Sequence, residues 1–167
     1  EDVKLKFVTQ PTELIAQIKL SDKAIVVAPQ PVATNILINN KDAKLAIDIN
    51  KEWDKVSDTG LVMGCVIARN EFIEQNPEAV KTFLKDYKAS IKAVNKDVDT
   101  AASLCDKYGI ITPAANAKKA IPNCNIVYMD GAELKTNLSA YLKFLHTRSP
   151  KSVGGALPAD NFYYEAK

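Results

Sequence analysis

Two hydrophobic periods alternate along the first 70 residues, and few architectures accept such a chain. Residues 3–8 (VKLKFV) place apolar and polar side chains in turn, the period of a strand with one buried face. Residues 24–28 (AIVVA) form a continuous apolar run bounded by Asp22 and Pro29, the pattern of a strand buried on both faces. Residues 44–49 (KLAIDI) alternate again, and residues 61–69 (LVMGCVIAR) form a fourth β-rich run after the turn residues Ser57, Asp58, Thr59 and Gly60. Between them, residues 12–20 and 31–39 carry Leu14, Ile15 and Ile18, then Val32, Ile36 and Leu37, at helical spacing. Strand, helix, strand, helix, strand predicts a largely parallel α/β sheet over residues 3–69.

Beyond Arg69 the period becomes helical throughout. Asn76, Pro77 and Glu78 supply an N-cap, a first-turn proline and an early carboxylate, and Val80, Phe83, Leu84, Tyr87, Ile91 and Val94 form one stripe. A helix over about 99–108 stops at Gly109, and another starts at Thr112-Pro113 and ends by Pro122. Asp130 and Glu133 have capping-box spacing, ahead of Leu134, Leu138, Tyr141, Leu142 and Leu145 on one face. Residues 149–167, with Gly154-Gly155 and the cluster Phe162-Tyr163-Tyr164, read as irregular.

Composition excludes several functions. Twenty-two Lys and Arg against 20 Asp and Glu leave a formal charge of +2, too small a surplus for nucleic acid or an anionic membrane. The longest apolar runs fall far short of the roughly 20 residues that cross a bilayer. A single histidine, His146, falls at a helix end where it meets the C-terminal dipole, a structural role rather than a catalytic one. No phosphate-cradling glycine motif, zinc-ligand spacing or nucleophile signature is present, and the acidic side chains interleave with lysines as on a solvated helix face. Neither a catalytic nor a metal residue is assigned. Cys65, Cys105 and Cys124 lack the C-x-x-C spacing; Cys105 and Cys124 could meet across a helix hairpin, and the sequence leaves both their pairing and their freedom open.

Two loops carry the candidate site, because each would join the C-terminal end of a parallel strand to a helix N-terminus, where ligands of open α/β sheets collect. In the first, Gln10 and Thr12 sit beside helix N–H groups that lack intrahelical acceptors. In the second, Pro29 and Pro31 stiffen the chain and place Gln30 at the helix entrance, with Thr34 one turn on. The predicted site is Gln10, Thr12, Gln30, Pro31 and Thr34, clustered on one rim. Trp53 is assigned to packing and left out of it.

The segment APQPVATNIL, residues 28–37, resembles the PEPVAT stretch of substrate-binding proteins of ATP-binding-cassette importers, in the nitrate/sulfonate/taurine and thiamine-pyrimidine-precursor group. AIDINKEWDKV, GCVIARNEFIEQNPEAVKTFLKDYKASIKAVN, KAIPNCNIVYMDG and PKSVGGALPADNFYY resemble later stretches of that family, in family order. The resemblance implies a three-layer α/β/α lobe of the type II periplasmic-binding-protein kind with additional C-terminal helices. Residues 1–95 would form the second ligand-binding lobe, and residues 96–167 the helices and tail that pack on a first lobe preceding Glu1. It further implies capture of a small polar solute, neutral or anionic, and delivery to a membrane permease. An extracytoplasmic location, periplasmic or lipid-anchored, and no cofactor go with that reading. With one lobe present, solute binding would be weak, and the uncovered cleft would favour self-association. Many family members carry Glu where this chain has Gln30. Two other functions share the implied fold: a biosynthetic enzyme making the thiamine pyrimidine, whose Cys-rich, His-containing pattern is missing here, and the effector-sensing domain of a transcription regulator.

Overall fold

The computed structural model describes residues 4–20 and 23–165. Val3 and Asp22, which open and bound two of the expected strands, lie outside the described residues. Of the described residues 58% are helical, 3-10 turns included, and among them there is no strand and no sheet. The expected three-layer α/β/α fold is therefore incorrect. Among the described residues, eight α-helices run in chain order: α1 (Pro11–Lys19), α2 (Val32–Asn39), α3 (Ile49–Trp53), α4 (Asn70–Gln75), α5 (Pro77–Lys96), α6 (Val98–Lys107), α7 (Ala114–Ala120) and α8 (Gly131–Arg148). Short 3-10 turns cover Ile121–Asn123, Pro150–Val153 and Asp160–Phe162.

The helices stand where helical spacing places them, and the expected strands do not form, for one physical reason. A helix closes its hydrogen bonds four residues away, whereas a strand needs a partner brought from elsewhere in the chain. Among the described residues, 4–8, 24–28, 44–48 and 61–69 have no partner strand, and many of their apolar side chains face solvent: Phe7 is 89% and Ile25 98% exposed. Alternation in residues 4–8 and 44–48, and the apolar runs at 24–28 and 61–69, marked surface to be buried without supplying anything to cover it.

The chain divides into two units, residues 1–45 with 92–126, and residues 46–91 with 127–167. In the first, α6 and α7 form a hairpin around Ala101, Ala102, Ala117 and Ile121, with Val94, Val98, Cys105, Ile111 and Ile126 packed against them. Three alanines allow the two helix backbones to approach closely. Gly109, at φ +67, ends α6 in the left-handed conformation that the sequence anticipates. Asp97 caps α6 through Thr100 N–H (3.0 Å), Asn95 Nδ2 donates to the Ile126 carbonyl (2.8 Å), and α2 packs on α7.

In the second unit, Trp53 at the end of α3 stands edge-on to Tyr141 (5.7 Å) and Phe144 (4.9 Å) of α8, and its Nε1 donates to the Thr59 carbonyl (2.7 Å). Asn137 Oδ1 accepts from Gly60 N–H (3.1 Å), so α8 also fastens the turn that follows α3. Lys135 of α8 reaches Asp160 (3.2 Å) and Glu165 (3.8 Å), which ties down the tail read from sequence as irregular.

Two expected caps are placed differently. Asn76 Nδ2 donates to the Phe72 carbonyl (3.1 Å), closing α4 rather than opening α5. Asp130 is the N-cap of α8 but makes no side-chain cap bond. Its carboxylate lies against the Tyr128 hydroxyl; burial first, and that carboxylate second, hold Tyr128 above the ordinary phenol range.

Candidate functional site

The proline-flanked loop ahead of α2 is built around one amide. The Thr34 backbone N–H (3.2 Å) and the Thr34 hydroxyl (2.7 Å) both donate to Gln30 Oε1, and Thr34 is 7% exposed. Because a backbone N–H can only donate, the Gln30 atom facing it must be the oxygen. Among the described residues, the Gln30 Nε2 group has no hydrogen-bond partner and is left as a pair of donors. The next N–H groups of the helix are taken, Ala33 by the Pro29 carbonyl (3.0 Å) and Asn35 by the Pro31 carbonyl (3.0 Å). The α2 entrance therefore offers Gln30 Nε2 and the Val32 N–H, both donors, beside the positive end of the helix. Pro31 is the N-cap residue itself, and the Gln30–Pro31 peptide is cis.

The α1 entrance has the opposite polarity. Gln10 is its N-cap residue, extended at φ −118 and ψ 140, and its side chain makes no cap bond. Glu13 Oε2 instead accepts from the Thr9 N–H (3.2 Å), which puts a carboxylate at the helix start, where it favours the dipole and repels a bound anion. Gln10 and Thr12 are exposed, and no hydrogen bond joins either of them to Gln30 or Thr34. Of the five candidates, the structure links Gln30, Pro31 and Thr34 around one helix entrance and places Gln10 and Thr12 at another.

Other polar groups have structural partners. His146 lies half-buried in the last turn of α8. Cys65, Cys105 and Cys124 are free thiols; Cys124 Sγ donates to the Ala120 carbonyl (3.3 Å), and burial, followed by the nearby Cys105, pushes its thiol pKa up. A raised thiol is a poor nucleophile at neutral pH. Among the described residues no group of three or more His, Cys, Asp or Glu gathers to hold a metal ion, and no helix is long and apolar enough to cross a membrane.

Sequence reasoning did not single out the open groove along α5, about 680 Å3, which is bordered by Glu78, Thr82, Phe83, Asp86, Tyr87 and Ser90. Phe83 and Tyr87 stack there at 5.5 Å with an 11° interplanar angle, although the helical period assigns both to a buried stripe. Their i, i+4 spacing was the available signal, and it cannot distinguish a core face from an open one. No protein-family model, curated protein or solved structure matches the chain.

Proposed function

We propose that the chain is the solute-binding component of an ATP-binding-cassette importer, a non-catalytic protein that captures a small polar solute outside the cytoplasm and hands it to a membrane permease. The reading rests on the five resembling segments, and the observation that carries it is the donor pair left on Gln30 at the α2 entrance. Glutamate at that position would offer only acceptors and a negative charge; the amide with its oxygen already engaged offers donors. The solute class that suits them is acceptor-rich: a sulfonate, nitrate, bicarbonate, or the carbonyl edge of a pyrimidine.

Nuclear magnetic resonance titration suits the weak binding expected here, with sulfonates, nitrate, bicarbonate and pyrimidines added to millimolar concentration. The Gln30 side-chain amide and the Val32 backbone amide should shift together with at least one of these solutes. Gln30→Ala should abolish the Val32 shift, and Gln30→Glu should abolish it for anions. No shift with any solute, or shifts indifferent to both substitutions, would overturn the reading.

A further inference from the structure

Residues 61–69 (LVMGCVIAR) link the turn after α3 to α4 within the second unit. They combine three features rarely left together on a folded protein. Among the described residues, the backbone groups of residues 61–68 make no hydrogen bond in the protein. Met63, Val66 and Ile67 are 74%, 55% and 78% exposed. Residues 61–68 include no charged side chain, no proline and three β-branched residues, so nothing blunts this unpaired edge.

The exposed surface is larger than folded units of this size leave open. The chain exposes 13287 Å2, whereas two separate domains with the sizes of the two units would expose about 9,800 Å2 even without touching. The surplus, about 3,500 Å2 per chain, is shared by residues 61–69 with the other uncovered segments, residues 4–8, 24–28 and 44–48.

We infer that residues 61–69 form a dimer interface with a second copy of this chain, pairing antiparallel with themselves about Cys65. The segment is its own complement. With Cys65 at the midpoint, Met63 of each copy lies opposite Ile67 of the other, Leu61 lies opposite Arg69, and the two Cys65 residues face each other on the axis. The N–H and C=O groups of every second residue then find partners on the other copy. The only charge, Arg69, falls at the outer ends of the pairing, away from its own copy, and a formal charge of +2 per chain opposes association little. By contrast, residues 4–8 carry Lys4 and Lys6, which self-pairing would bring together, and residues 24–28 provide a shorter ladder.

The test is light scattering across a concentration series, joined to cross-linking by diamide. Two facing thiols each give up a proton and an electron to this azo compound, which becomes the hydrazine while one S–S bond forms between the copies. The expected result is a particle of two chains that diamide links covalently, a link that Cys65→Ser removes without changing the particle mass. Ile67→Lys, at an exposed position, should leave helical circular dichroism unchanged and weaken the dimer about tenfold or more, since each dimer carries the substitution twice. A monomer at every concentration, a ladder of higher oligomers, a link that survives Cys65→Ser, or a dimer indifferent to Ile67→Lys would each overturn the proposal.

Discussion

Ile121→Ala is the most direct test of how the first unit is held together. Ile121 is 3% exposed, and its neighbours in the cluster are Ala101, Ala102 and Ala117. Removing three aliphatic carbons loses about 2.4 kcal/mol of transfer free energy at about 0.8 kcal/mol each. The void remains largely open, because alanines have no side-chain length with which to reach into it. A residual cavity of about 40 Å3 adds about 1 kcal/mol, so the expected loss is about 3 kcal/mol. Hydrogen exchange at α6 and α7 reads this locally, free of contributions from the second unit. The amides of Ala102 and Cys105 should exchange about a hundredfold faster, and Ile121→Val should give a loss of about 1 kcal/mol. Acceleration of less than about fivefold in Ile121→Ala would refute the view that this side chain joins α6 to α7.

Trp53→Phe keeps a ring on Tyr141 and Phe144 but removes the donor to the Thr59 carbonyl, which would then rely on the Ser57 hydroxyl (3.1 Å); urea unfolding should show a loss of about 1 kcal/mol. For Asp97, hydrogen bonds from the Thr100 N–H and then its hydroxyl hold the carboxyl below its ordinary 3.8, so its contribution is complete above about pH 3.8 and disappears as pH falls through the lowered value. Asp97→Asn should flatten that part of an acid titration followed by circular dichroism, and an unchanged acid profile would count against the cap.

The sequence by itself determined α1, α2 and α5 to α8, because each is decided by residues within a few positions of one another, whereas α3 and α4 are not among the expected helices and Ile49 falls in an expected strand. The stripe Leu134, Leu138, Tyr141, Leu142 and Leu145 is buried or half-buried on α8, and Gly109 ends α6 where its conformational freedom is needed. The sequence also located the loop at Gln30 and Thr34, since a side chain one turn before a helical threonine reaches its N–H through local geometry alone. Side-chain choices among near neighbours were less legible: Asn76 could close α4 or open α5, and only the folded geometry chose the Phe72 carbonyl. Tertiary structure alone decided the fate of residues 4–8, 24–28, 44–48 and 61–69. Their apolar pattern, alternating in two and continuous in the others, marks surface to be buried, but a sheet exists only where distant segments meet in register, and among the described residues they do not. The same non-local requirement applies to Gln10 and Gln30. Each lies at a helix entrance that the sequence could find, but whether two entrances share a rim depends on a sheet whose hydrogen bonds no local pattern can guarantee.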